Sequence, residues 1–177
     1  MGLDFVAVDF ETANSDPTSA CAIGLAVVRS GCLTESTSYL IRPFSPKFTF
    51  SYLHGITWDD VRDAPTFCEL WESVRVRLSS DILVAHNAVF DKSVLLACLR
   101  YYDIQYQMNT FVCSMQLAKK AFGFRRLKLD HVCKQLKINL RHHDAGSDAQ
   151  AAAQIVIRAA PRLKADAASQ LLRFCQT

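Results

Sequence analysis

Five side chains in this 177-residue chain have types and spacings suited to one piece of chemistry. Asp9 and Glu11 close the apolar run Phe5-Val6-Ala7-Val8, Asp91 lies on the oily side of a helical pattern, and Asp148 opens an Ala-rich segment. A buried carboxylate is costly unless it is paired or holds a metal. Acids placed at the ends of apolar elements therefore point to a divalent-cation site. Hard oxygen donors suit Mg2+ or Mn2+, and no Cys/His cluster favours zinc. His143, five residues before Asp148, adds a group that titrates near neutral pH.

Each acid has a plainer reading. Residues two apart on a strand share a face, so Asp9 and Glu11 project together and repel unless a cation lies between them. Alternatively, Glu11 is already in a loop and faces water. Asp91 shares its helical face with Val94, Leu95 and Cys98. An acid near a helix start can also serve the helix dipole, with Asn87 as the cap. Asp148 aligns with Ala152 and Ile155, and the alanines at 149, 151, 152 and 153 would let that helix approach a sheet closely. On one continuous helix His143 and Asp148 would point about 140° apart. His143 is therefore expected in the loop or first turn before the helix. The adjacent His142 competes for any role given to a single histidine.

The elements that must position these groups follow from pattern. Leu3–Phe10 reads as a central strand buried on both faces. Ala20–Arg29 and Leu33–Arg42 read as two more strands, joined by a tight turn at Ser30-Gly31-Cys32. Thr57–Asp60 is expected as a capped short helix, and Pro65–Leu78 as a helix with Pro65 in its first turn. A strand at Asp81–His86 leads to an amphipathic helix at Ala88–Tyr102, and a short strand at Thr110–Cys113 follows. Helices are expected at Ser114–Phe122, Leu129–Leu136 and Ala145–Ala160, with Pro161 as a breaker and one more helix over Arg162–Phe174. The order gives an α/β fold: an antiparallel three-strand meander plus two α/β crossover strands, in a mixed five-stranded sheet flanked by helices.

Bulk properties narrow the function classes. Half the residues are hydrophobic and 21% are charged, as in an ordinary globular domain, and the length fits one domain over 1–177. No apolar stretch approaches the roughly 20 residues that span a bilayer, and the N-terminus reads without a signal peptide. Seven cysteines, at 21, 32, 68, 98, 113, 133 and 175, lack C-x-x-C spacing. Reduced thiols in a cytoplasmic protein are expected. Net charge is +3 but uneven: residues 1–100 carry 8 basic and 12 acidic side chains, residues 101–177 carry 12 and 5. Between Lys119 and His142 stand eight Lys/Arg against Asp130 alone. That face is either merely solvated or meets a polyanion.

The motifs now bear comparison with a known family. Val8-Asp9-Phe10-Glu11-Thr12 matches D-x-E-T, and His86-Asn87-Ala88-Val89-Phe90-Asp91 matches H-N-x-x-F-D. The segment His143 to Ala149 matches H-x-x-x-x-D-A, which selects His143 over His142, and His54-Gly55-Ile56-Thr57 matches a further H-G-I-T loop. Over roughly residues 4–158 the chain resembles the DnaQ-like 3′–5′ exonucleases of the DEDDh type, in the ribonuclease H-like superfamily. Gly146 stands where relatives often carry an apolar residue, and residues 161–177 match no motif.

The resemblance implies two Mg2+ or Mn2+ ions. Asp9 would bridge them, Glu11 and Asp148 would help hold the ion that binds water, and Asp91 would support the metal site through a metal-bound water. His143 would be the general base. Thr12, Phe10, His54, His86 and Asn87 are the implied contacts to the terminal nucleotide, although Phe10 also reads as core and His54 as loop packing. Lys119, Lys120, Arg125, Arg126 and Lys128 are candidates to follow the phosphate backbone. The implied substrate is a nucleic-acid 3′ end, DNA before RNA, with a polymerase or repair partner and a monomer or homodimer. An RNA-trimming exoribonuclease and a non-catalytic polymerase-accessory protein are the competing readings. The segment after Pro161 would pack on the sheet edge or dock a partner through Leu163, Ala167, Leu171 and Phe174.

Overall fold

A computed structural model describes residues 2–80, 82–107 and 109–175. Strands β1 (Phe5–Thr12), β2 (Ala20–Arg29) and β3 (Cys32–Leu40) form the antiparallel meander, and β4 (Ile82–Ala85) and β5 (Thr110–Cys113) extend the sheet in the order β3-β2-β1-β4-β5. β4 runs parallel to β1, and β5 parallel to β4. The expected strand at Asp81–His86 begins at Ile82 in the structure; Asp81 itself lies outside the described residues. Ser30 and Gly31 turn β2 into β3 with φ values of 49° and 76°. A two-residue connection with both φ angles positive matches the twist of the flanking strands.

Alternation along β1 divides the core. Val6, Val8 and Phe10 face α3 (Phe67–Leu78) and α4 (Ala88–Tyr101), whereas Phe5 and Ala7 face α5 (Ser114–Phe122) and α7 (Ala145–Arg162). Asp9 and Glu11 have the parity of Phe5 and Ala7, so they leave the strand on the α7 side. Helix α6 (Leu129–Leu136) packs on α5 and α7 through Val132 and Cys133.

Several expectations need correction. Residues 51–54 form a short helix, α1, ahead of α2 (Trp58–Val61); the signal was Gly55, whose φ of 77° ends α1. Pro65 lies outside α3, because Thr66 takes the cap position and accepts a hydrogen bond from the Glu69 amide. Asn87 occupies the cap position of α4 with φ 72° and makes no side-chain cap bond; a left-handed backbone, tolerated by Asn, opens that helix. Pro161 does not break α7 but sits in its last turn, one residue before the helix ends at Arg162. The tail forms a 3₁₀ helix at Ala168–Phe174, with Ala165, Ala168 and Leu171 buried three residues apart against the α5–α7 face.

Candidate active site

Three elements deliver the acids to the carboxyl end of β1. Asp9 and Glu11 arrive from the strand itself. Asp148 comes from the first turns of α7 on one face of the sheet, and Asp91 from the first turn of α4 on the other. Open sheets present such an edge to ligands. Carboxylate oxygens of Asp9, Glu11 and Asp148 all lie within 4.8 Å of one another. Asp91 is not in that set: its Oδ1 accepts from the Phe10 amide at 3.0 Å, which ties α4 to the β1 segment carrying both acids. Asp91 is 1% exposed and, from the first turn of α4, serves a buried contact across the sheet as well as its own helix start.

Close approach of α7 depends on small residues. Gly24 pairs with Asp9 across β1 and β2, and a Cβ on it would fall 1.9 Å from the Ala145 carbonyl oxygen. Gly146 packs on Ser38 of β3. Asp144 caps α7 by accepting from the Ser147 amide at 2.9 Å. His143 stands just before this cap with φ 66°, outside the helix as its spacing required.

Burial and mutual repulsion dominate the electrostatics. Burial, then Asp91, Asp148 and Glu11, holds the Asp9 carboxyl well above the usual carboxylate range. Glu11 is pushed up to about 8 by burial and by Asp148 and Asp91. Asp91 rises to about 7 through burial, opposed by the Phe10 amide. Asp148 also rises, again through burial, against donation from His142 and His143. Among the described residues, no lysine or arginine pairs with any of these four acids. The Asp148 Oδ2 atom accepts from His142 Nδ1 and from the His143 amide, both at 3.1 Å, while its buried Oδ1 has no partner. An orphaned buried oxygen beside two further carboxylates fits a hard divalent cation.

Asp9, Glu11 and Asp148, but not Asp91, line a cleft of about 500 Å³ that is also lined by Thr12, Leu53, Phe90, Lys128 and four histidines. Three of the histidines are occupied. His54 accepts from the Ile56 amide and donates to the Thr12 carbonyl, bracing α1 against β1. His86 donates to the Leu127 carbonyl at 2.7 Å and accepts from Ser114 at 2.9 Å. His142 donates to Asp148. Among the described residues, neither ring nitrogen of His143 has a hydrogen-bond partner. Burial and the neighbouring His142 hold its pKa below the ordinary value, which favours a neutral ring able to take a proton.

The nucleotide contacts expected from sequence divide. Phe10 is buried to 2% in the α3–α4 core, so its ring cannot stack on a base, and Thr12 is buried to 4% with its backbone on the rim. His54 and His86 act as struts, since both nitrogens of each ring are spent. Asn87 keeps its side chain exposed at the strand end. Lys119, Lys120, Arg125, Arg126 and Lys128 are all exposed and make no ion pair among the described residues, and only Lys128 borders the cleft. The sequence had not singled out Leu53 of α1 as a cleft residue; its 43% exposure in the cleft that Phe90 also lines was invisible without the fold. A larger polar groove of about 730 Å³ near Trp71 and Thr110 lies at the amino ends of β4 and β5, away from the acids.

A mixed five-stranded sheet with acids gathered at the carboxyl end of its central strand defines a ribonuclease H-like nuclease architecture. The exonuclease family model matches residues 6–156, and the chain belongs to that family. Among similar proteins, a DNA polymerase III of the PolC type from Oceanobacillus iheyensis is 32% identical over 164 residues, 90% of this chain and 12% of that protein. The DNA polymerase III subunit epsilon of Buchnera aphidicola is 27% identical over 154 residues, covering 80% of this chain and 65% of the subunit. The chain thus spans about an eighth of the PolC-type relatives it matches. Exonuclease X, solved with 5′ overhanging duplex DNA, superposes with a TM-score of 0.78 at 23% identity, over 97% of this chain and 99% of its own. No helix among the described residues is long and apolar enough to cross a membrane.

Proposed function

We propose that the chain removes nucleotides from the 3′ end of a DNA strand, releasing nucleoside 5′-monophosphates, with two Mg2+ or Mn2+ ions as cofactors. The observation that carries this reading is the gathering of Asp9, Glu11 and Asp148 oxygens within 4.8 Å beside the unpartnered Oδ1 of Asp148. Those three carboxylates would hold the ions. Bound divalent ions neutralise charge on a phosphodiester and polarise its phosphoryl oxygens. Asp91 keeps the end of β1 in place through the Phe10 amide. His143 takes the proton from the water whose oxygen attacks phosphorus as the P–O3′ bond breaks. Its free ring nitrogens, and a pKa held down by burial, support that assignment over His142.

His86 anchors the Leu127 carbonyl and so fixes the segment that presents Arg125, Arg126 and Lys128. Those cations, with Lys119 and Lys120, attract the phosphate backbone. Similarity to polymerase III components and to exonuclease X supports DNA as substrate and a polymerase or repair partner. The test is incubation with 3′- and 5′-labelled DNA and RNA oligonucleotides in Mg2+, Mn2+ or chelator. Expected is mononucleotide release from DNA 3′ ends that stops with chelator; release that persists in EDTA, or that starts at the 5′ end, refutes the reading.

A further inference from the structure

Asp148 belongs to two donor sets of different chemistry. With Asp9 and Glu11 it makes an all-oxygen set; with His142 and His143 it makes a second, whose ligand atoms also all lie within 4.8 Å of one another. Adjacent residues on a regular element would point apart, but the left-handed backbone of His143 stacks the two rings 3.9 Å apart at 19°. The separation of His142 Nδ1 from Asp148 Oδ2 is 3.1 Å. Two ligand atoms on a tetrahedral zinc ion, each about 2.1 Å from the metal, stand roughly 3.4 Å apart. The hydrogen-bonded pair would therefore open by about 0.3 Å to take a zinc-sized ion. Imidazole nitrogens with a carboxylate select zinc-like ions over Mg2+, which prefers oxygen alone.

We propose that His142, His143 and Asp148 form an inhibitory site for Zn2+, distinct in donor chemistry from the carboxylate site that supports turnover. Binding removes the Nδ1 proton of His142 and replaces its hydrogen bond to Oδ2 with two metal bonds. It also takes up the ring nitrogen of His143. The inhibition rests on the reading of His143 as the base, because a nitrogen coordinated to zinc has no lone pair for a proton. His142, which the family motif passes over, is the ligand that gives this chain its zinc sensitivity.

The experiment uses the full chain in saturating Mg2+. Zn2+ binding is measured by calorimetry and nucleotide release is titrated with Zn2+, each protein being scored against its own zinc-free rate. His142→Asn keeps an N–H donor for Asp148 but is a poor zinc ligand. It should weaken zinc binding, and raise the half-inhibiting zinc concentration, by at least ~10-fold. His131→Asn, on α6 outside the cleft, should change neither. Asp9→Asn, which cripples the all-oxygen set, should still bind one equivalent of zinc. The proposal is overturned if His142→Asn shifts zinc binding or inhibition by less than about twofold, or if Asp9→Asn loses the zinc equivalent. Should wild type release no nucleotide with Mg2+, the proposed function falls, while the calorimetric comparison still decides the zinc site.

Discussion

Gly24→Ala tests whether the site depends on direct contact between the first turn of α7 and the sheet. The added Cβ would lie 1.9 Å from the Ala145 carbonyl oxygen, 2.2 Å from its carbon and 2.6 Å from the Gly146 nitrogen, all backbone atoms that cannot rotate away. Reaching even 3.0 Å from that oxygen requires a retreat of at least 1.1 Å, the difference between 3.0 and 1.9. His143 precedes this turn and Asp148 lies within it, so both withdraw from Asp9 and Glu11. A displacement of about 1 Å in a catalytic constellation costs ~100-fold in rate. Overpacking adds a stability loss of roughly 2 kcal/mol, which lowers Tm by about 4–8 °C in a chain this long. The assay is turnover on a labelled oligonucleotide, Mn2+ affinity by calorimetry and thermal unfolding, run beside Gly146→Ala. The atoms nearest a Cβ on Gly146 all belong to side chains, Ser38 at 3.2 and 3.3 Å and Asp144 Oδ1 at 3.4 Å, so that variant should cost less than ~1 kcal/mol and keep its rate. Wild-type turnover and Mn2+ affinity in Gly24→Ala would refute the argument.

The metal-free protein should lose stability as pH rises, the reverse of ordinary acid denaturation. Glu11, raised from 4.5 to about 8, contributes fully below pH 4.5 and loses its contribution as pH passes through about 8; Asp91, raised from 3.8 to about 7, acts in the same direction. At about 1.4 kcal/mol per pH unit the ceiling for Glu11 is ~5 kcal/mol, reduced to roughly 2 kcal/mol by solvent at its accessible edge. Thermal melts in chelator across that interval should therefore fall, and Mg2+ should restore them; a metal-free Tm that climbs with pH contradicts the electrostatics. Asp9→Asn should abolish release, as read by turnover on a labelled oligonucleotide, and an unchanged rate would exclude Asp9 from the site. His143→Ala should lower kcat by ~100-fold or more and His142→Ala by much less, with single-turnover rates as the measurement; equal losses would mean the wrong histidine was assigned. Charge reversal at Arg125 and Arg126 should weaken DNA affinity and flatten its salt dependence while leaving single-turnover chemistry near wild type, as read by anisotropy titrations; unchanged affinity would make that face merely solvated.

Local rules sufficed for a good part of this protein. Period-two alternation put Asp9 and Glu11 on one side of β1 and Phe10 on the other, and the strand parity in the fold agrees. Spacing alone separated His143 from the α7 helix and put Asp91 on an inward face. Ser30-Gly31, whose backbone must turn left-handed, located the first hairpin. Such features depend on neighbours a few residues away, and the chain carries that information directly.

Other decisions needed the tertiary structure, because they depend on what lies across a contact. His54 and His86 look like substrate ligands in a motif, yet the Thr12 and Leu127 carbonyls, 42 and 41 residues distant in sequence, consume their ring protons. Asn87 reads as a side-chain cap, and only its left-handed backbone shows otherwise. Gly24 carries no motif, but the 1.9 Å clearance over Ala145 makes it the residue that admits α7 to the sheet. The sequence alone determined which groups could bind metal and take a proton, since that is a matter of residue type. Which oxygens and nitrogens are left unpartnered to do so was decided by packing, since the bonds that tie up His54, His86 and Asp91 reach Thr12, Leu127 and Phe10 on distant elements.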